Sequence, residues 1–288
     1  MSTQTERGGE TVRAKTVPAR PEPARSVPGK PVPPTAVTVL PVWGLPELLP
    51  GDDLAALLLD ALRTQGVLPQ TSDVLVVAQK AVSKVEGSRV ALSAVRPSRQ
   101  SLAWAAQWDK DARQVELVLR EARRIVRMER GLIIAETRHG FVCANAGLDL
   151  SNTGTDSEVA ILLPEDPDRS AALLREAILS ATGAALGVIV SDSFGRPWRT
   201  GLTQVALGVA GLPPLLDHRE QQDADGRPLL ATEIALADEL ACAADLVCGK
   251  TARVPAALIR GVALPPAPLG NAGTGQALLR EAAMDLFR

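Results

Sequence analysis

Short apolar runs alternate irregularly with stretches of helical periodicity, and that irregularity limits the fold more than any other feature of the chain. Val37 to Trp43, Val74 to Ala78, Leu132 to Ala135, Val188 to Val190 and Ala256 to Ile259 are aliphatic and β-branched over a strand's length. Between them, Gly51-Asp52-Asp53 opens a predicted helix with Leu54, Leu57, Leu58, Ala61 and Leu62 on one face. Ser98 to Trp108 and Ala112 to Met128 read as helices, the second striped by Val115, Val118, Leu119, Ala122, Ile125 and Val126. Asp166-Pro167 is a helix start, a capping side chain followed by Pro at the first helical position, and Gly183 is its stop. Thr232 to Leu246 and Thr274 to Phe287 are predicted helices as well. Strands and helices do not alternate strictly, and several strands lie far apart. The pattern predicts an α+β fold of mixed sheets and packed helices, not a doubly wound parallel sheet.

Composition narrows the function. Aromatic residues make up 2% of 288, with no Tyr, so the core must be built from Ala, Leu and Val. Too few rings remain for a base-stacking platform. Net charge is −2, from 31 basic and 33 acidic residues, and that balance speaks against a nucleic-acid partner. Cys143, Cys242 and Cys248 are odd in number, widely spaced and without CxxC, which argues against a disulfide framework or a cysteine-rich zinc site. With no apolar run of spanning length and no apolar secretory core, a cytoplasmic protein without a membrane partner is expected. Residues 1–36 differ from the rest: seven prolines interleave with Arg7, Arg13, Lys15, Arg20, Arg25 and Lys30. Such a segment cannot bury a core and is read as a disordered tail, with residues 37–288 as the folded domain.

Polar, glycine-containing stretches interrupt the apolar pattern, and loops of this kind carry function. In Gln79-Lys80-Ala81-Val82-Ser83-Lys84, continuation of the preceding strand would put Lys80 and Lys84 on one face, where paired ammoniums suit a polyphosphate; a solvated strand end is the plain alternative. In His139 to Asn152, Asp149, Ser151 and Asn152 offer the hard oxygens that Mg2+ or Mn2+ prefers. Cys143 with His139 could form a nucleophile and base, but a free Cys is more often simply buried. In Ser191 to Gly201, a strand is expected to end in Ser-Asp-Ser, and Arg196 and Arg199 follow. A carboxylate, a hydroxyl and two arginines can hold a metal–phosphate complex, or form an ordinary turn with an Arg–Asp pair. Cys248-Gly249-Lys250-Thr251 imitates the end of a P-loop, but Ala244 stands where the glycine is required and no strand precedes it. Gly270-Asn271-Ala272-Gly273-Thr274-Gly275 has the wrong spacing for a dinucleotide fingerprint.

Gly44-Leu45-Pro46-Glu47, Ser83-Lys84-Val85-Glu86-Gly87, Asn145-Ala146-Gly147-Leu148-Asp149-Leu150-Ser151-Asn152, Leu163-Pro164-Glu165-Asp166-Pro167-Asp168, Asp192-Ser193-Phe194-Gly195-Arg196-Pro197-Trp198-Arg199 and Ala237-Asp238-Glu239-Leu240-Ala241 occur in this order. Together they resemble the coenzyme F420-0:L-glutamate ligase family, from about Val37 to Val262. The resemblance implies an enzyme that uses GTP and Mg2+ or Mn2+, with K+ a further candidate ion, to join L-glutamate to the carboxylate of F420-0, and often to add further γ-linked glutamates. It also implies a homodimer of intertwined subunits. Carried over by motif, Asp149, Asp192 and Ser193 would hold metal. Leu45, Pro46, Glu47, Leu48, Gln79, Lys80, Lys84, Asn152, Gly249, Lys250 and Thr251 would contact GTP. Asp149, Asp192, Arg196 and Arg199 would serve catalysis. Two departures stand out: Lys250 occupies a position where some relatives carry an acidic or amide residue near metal, and Glu220 one where relatives often have Gly. Some bacterial relatives carry a fused flavin-reductase-like domain, for which the residues beyond the motifs leave too little length.

The residue inventory suits that chemistry independently. A carboxylate is a poor acyl donor until phosphorylated, and phosphoryl transfer is catalysed mainly by positioning and charge neutralisation. The alternatives are a ligase of the same scaffold acting on another phosphorylated carboxylic acid, and a non-catalytic nucleotide-binding regulator.

Overall fold

The computed structural model describes residues 36–150, 158–219, 221–265 and 273–286. The expected N-terminal tail, Ser151, Asn152 and Glu220 therefore lie outside the described residues, apart from Ala36. In chain order the strands and helices are β1 Thr38–Val42, α1 Leu54–Thr64, β2 Val74–Ala78, α2 Gln79–Val85, β3 Arg89–Ala91, α3 Arg99–Trp108, α4 Ala112–Glu121, β4 Ala122–Glu129, β5 Leu132–Thr137, β6 Val142–Ala144, β7 Val159–Ile161, α5 Pro167–Thr182, β8 Gly187–Arg196, β9 Arg199–Ala210, β10 Leu216–Asp217, β11 Glu233–Ile234, α6 Leu236–Cys248 and β12 Ala256–Arg260.

The architecture is α+β, as the irregular alternation predicts. A mixed sheet of order β1-β12-β2-β8-β9 forms the centre, with β2 and β8 parallel and the other neighbours antiparallel. Smaller sheets pair β3 with β7, β10 with β11, and β4-β5-β6. β2 is buried on both faces, which is why it reads as an unbroken apolar run. Its period of two sends Leu75 and Val77 to one face, against Leu58 and Leu62 of α1 and Ile178 of α5. Val74 and Val76 face the other way, against Leu240 and Ala241 of α6. Asp53 caps α1 by accepting from the Ala56 N–H at 3.0 Å, and Asp166 caps α5 by accepting from Arg169 N–H at 3.0 Å. Gly208 marks the tightest contact of β9 with α5, since a Cβ there would lie 2.0 Å from the Pro167 carbonyl oxygen.

Several sequence expectations are corrected. The helix predicted over Ala112–Met128 ends at Glu121, and Ala122–Glu129 is strand β4. Arg130 and Gly131, at φ 53° and 75°, make a tight hairpin turn that pairs β4 with β5, and this pairing overrides helical periodicity. Gln79–Val85 is helix α2 and not a continuation of β2. The predicted loop after Ser191 is a hairpin, β8 running on to Arg196 and β9 returning from Arg199. The helix predicted from Thr232 begins at Leu236, behind the short strand β11. Instead of one helix over Thr274–Phe287 there are 3-10 turns at Gly275–Leu278 and Ala282–Met284. Tertiary anchoring competes there: the Asp168 carboxylate accepts from Gly275 N–H at 2.6 Å, and Leu279 packs beside Phe141, Leu163 and Leu207.

Candidate active site

The site is built from chain segments that the central sheet brings together. α2 follows β2 without a loop and projects Gln79, Lys80 and Lys84 from its end. The helix places Lys80 and Lys84 one turn apart, so the shared face expected of a strand survives by a different geometry. Lys84 is buried to 7% exposure, and its Nζ meets Glu47 Oε1 at 2.5 Å. Glu47 belongs to the Leu45–Leu48 loop behind β1, where Leu48 is buried and Leu45 packs against the core. Gln79 is buried; its Oε1 accepts from Ser83 Oγ at 2.8 Å, while its Nε2 lacks a hydrogen-bond partner among the described residues.

Asp149 enters from β6 through a turn at Asn145, Ala146 and Gly147 with φ of 52°, 52° and 74°. Left-handed conformation at Asn145 and at the buried Ala146 is strained, and a Cβ on Gly147 would meet Leu163 at 2.7 Å. Beyond the turn the Asp149 backbone is locked to β7, donating to Ile161 O at 3.0 Å and accepting from Ile161 N–H at 2.8 Å. Its carboxylate receives Lys80 Nζ at 2.6 Å. One basic group of α2 thus rests on Asp149 and another on Glu47.

Asp192 lies within β8, just past a bulge between Val190 and Ser191 that re-aims the side chains of the following residues. Burial pushes its carboxyl up to about 6; the Asp149 charge adds to the rise, while the Ser193 backbone N–H and the charges of Lys250 and Lys80 oppose it. Asp149, Asp192, Lys80 and Lys250 therefore share one electrostatic site. Ser193 Oγ accepts from Gln204 Nε2 at 2.8 Å and from Lys250 Nζ. Lys250 reaches it from beyond α6, through Gly249 at φ 58° and ψ −179°, a conformation essentially reserved for glycine. Phe194 stacks edge-on against Phe141 at 6.2 Å and ties this part of β8 to the β5–β6 connection.

The expected residues do not all converge. Arg196 and Arg199 face each other at the tip of the β8–β9 hairpin, where Arg196 Nη2 donates to Thr200 O at 3.1 Å. Their backbone lies four strand residues, roughly 13 Å, beyond that of Asp192, and the Arg196 charge is felt at Cys242 of α6. Thr251 is exposed. His139 Nε2 binds the carbonyls of Pro164 and Glu165, each at 3.0 Å, and its ring stacks on Phe141. Cys143 is buried, and burial together with the Asp192 charge pushes its thiol up to about 12. A thiol so far from ionisation is a poor nucleophile. The segment after α6 follows a helix and not a strand, in keeping with rejection of the P-loop.

Gln204 and Asp245 were invisible as candidates. Gln204 is a single amide inside the apolar run of β9, and Asp245 one carboxylate in an Ala-rich helix.

Among the described residues no three His, Cys, Asp or Glu side chains gather. Asp149, Asp192 and Ser193 are the described residues that would hold a cation here, with phosphate and water at further positions, the usual habit of Mg2+. The donor set fits: Asp149 and Asp192 offer carboxylate oxygens close enough for the Asp149 charge to raise the Asp192 carboxyl, a repulsion that a cation would relieve. Among the described residues no helix is long and apolar enough to cross a membrane.

The family model described as F420-0:Gamma-glutamyl ligase matches residues 44–261. A protein of Methanothermobacter thermautotrophicus named coenzyme F420:L-glutamate ligase is 44% identical over 253 residues, 88% of this chain and 99% of that protein. Proteins of the same name from Methanopyrus kandleri and Methanocaldococcus jannaschii are 42% and 40% identical, covering 83% and 76% of this chain and 92% and 86% of their own.

Proposed function

The chain belongs to the F420-0:gamma-glutamyl ligase family, and from that premise we propose that it forms the amide bond between L-glutamate and the carboxylate of F420-0, at the expense of GTP. The supporting observation is the Lys80–Asp149 ion pair near enough to Asp192 that its carboxyl feels the charges of Asp149, Lys250 and Lys80.

The carboxylate oxygen of F420-0 attacks the γ-phosphorus of GTP, and the bond to the bridging oxygen breaks to release GDP. The glutamate amine then attacks the acyl phosphate carbon, inorganic phosphate leaves, and the amine loses its proton. Lys80, Lys84 and Lys250 would hold phosphate oxygens, giving up their contacts to Asp149, Glu47 and Ser193 for the nucleotide. Asp149, Asp192 and Ser193 would hold Mg2+ or Mn2+, which when bound neutralises charge on the transferring phosphoryl group. The Leu45–Leu48 loop, Gln79 and the Gly249–Thr251 segment complete the proposed nucleotide site, and the unpartnered Gln79 Nε2 supplies a donor. Arg196 and Arg199 stand opposite each other at the hairpin tip. We assign them to glutamate or phosphate across a homodimer, a pairing that Trp198 and Leu202, 80% and 61% exposed, support. Three free cysteines suit a reducing, cytosolic setting.

F420-0 carrying heavy oxygen in its carboxylate tests this. The acyl-phosphate route delivers one labelled oxygen into the released phosphate; unlabelled phosphate in the presence of amide product would refute it.

A further inference from the structure

Gln204 stands directly opposite Ser193 in the β8–β9 register. Its Nε2 lies 2.8 Å from Ser193 Oγ and 3.0 Å from Asp245 Oδ1. A carboxylate only accepts, so the amide nitrogen must be the atom that faces Asp245, and this fixes which way the amide points. Both N–H bonds are then spent, one on the carboxylate and one on the hydroxyl. The Gln204 carbonyl oxygen of the backbone also accepts from Cys242 Sγ at 3.3 Å, a second tie to α6.

These contacts close a ring. Ser193 is joined through Gln204 to Asp245 in the last turn of α6. The chain leaves α6 at Gly249, and Lys250 returns to donate to the same Ser193 hydroxyl. With two donors aimed at it, Ser193 Oγ has both lone pairs engaged, and its own proton is left for a third atom, such as a phosphate oxygen. Ser193 can turn a lone pair to a cation only after Lys250 moves off it. Asp245 matters because it holds the amide; without it the Gln204 side chain is free to rotate.

We propose that Gln204 is a positioning residue: through the ring Ser193–Gln204–Asp245 it orients the Ser193 hydroxyl and docks the Lys250 segment against Asp149 and Asp192 for nucleotide phosphate. The proposal rests on the nucleotide reading above and assigns to that site a residue outside its expected contacts.

The test is calorimetric binding of Mn2+–GTP to the full chain. Gln204→Met keeps the volume and removes both donated bonds. It should weaken binding about tenfold, as loss of about one hydrogen bond to a charged or polar site does, with little change in melting temperature. In a Lys250→Met background the same change should cost less than about twofold, because both act through one hydroxyl. A tenfold loss in that background too would overturn the proposal. A second variant separates the fold link from the hydroxyl's orientation. Gln204→Glu with Asp245→Asn rebuilds the β9–α6 bond with its polarity reversed, but makes Ser193 donate its proton to Glu, so that proton is no longer free for phosphate. Binding should remain weakened; recovery to the parent value would refute the assigned role. A parent that binds no Mn2+–GTP overturns the nucleotide reading and this proposal with it. A parent that binds while Gln204→Met binds equally well overturns this proposal alone.

Discussion

Asp192 carries the strongest electrostatic signature of the site. Its carboxyl titrates at about 6 in the fold, against 3.8 for an ordinary aspartate. Between those values the folded protein keeps a proton that the unfolded chain has released, so ligand-free stability falls as pH rises through this window and stays reduced above it. Asp192→Asn removes that penalty. Above about pH 7 it should raise the urea midpoint, by about 1–3 kcal/mol in stability, and the gain should vanish below about pH 4. The same substitution, or Asp149→Asn, should lower Mn2+ affinity and cut turnover by orders of magnitude, with non-additive losses in the double variant. For the parent, Mn2+ affinity should decline below about pH 6, where proton and cation compete for Asp192. Cys143→Ala should retain most activity, since a thiol pushed up to about 12 has no thiolate to offer. Loss of turnover with an intact melting temperature would restore covalent catalysis as a reading. These carboxylates were legible in the sequence because each sits in a polar stretch beside an apolar one. Gln204 was not, because its value comes from a cross-strand register that no local pattern encodes.

At the scale of elements, legibility follows the range of the forces involved. The helices with local caps and stripes, α1 and α5, are found where the sequence puts them, with Asp53 and Asp166 as caps. β2 and β12 are legible from their apolar runs because both faces are buried. The failures are segments decided by a distant partner: β4 by pairing with β5, the β8–β9 hairpin by its long antiparallel register, and the C-terminal turns by Asp168 and the packing of Leu279. α2 reverses the expected strand yet keeps Lys80 and Lys84 together, because both the strand period and the helical turn bring those positions to one side. The junction of β9 with α5 offers a stability test. In Gly208→Ala the new methyl must displace the Pro167 carbonyl, and the change should cost about 1–3 kcal/mol or more by urea denaturation. A neutral substitution would mean that α5 shifts freely over the sheet.

For the whole molecule, the proposed nucleotide site draws on the end of β2, the turn before Asp149, the middle of β8 and the segment after α6. The proline- and arginine-rich composition of residues 1–35 predicts that they are dispensable. Their deletion should leave melting temperature and turnover nearly unchanged, and a large loss of either would contradict that reading. Family membership fixes the class of chemistry, and the paired carboxylates with their lysines are the place proposed for it. The most direct measurement is mass spectrometry of the deazaflavin product after incubating the full chain with F420-0, L-glutamate, GTP and Mn2+. The account predicts a mass increase of one or more glutamyl residues that requires GTP and the cation and is lost in Asp149→Asn and Asp192→Asn. Unchanged F420-0 with the parent protein, or product formed equally well by the two variants, would contradict it.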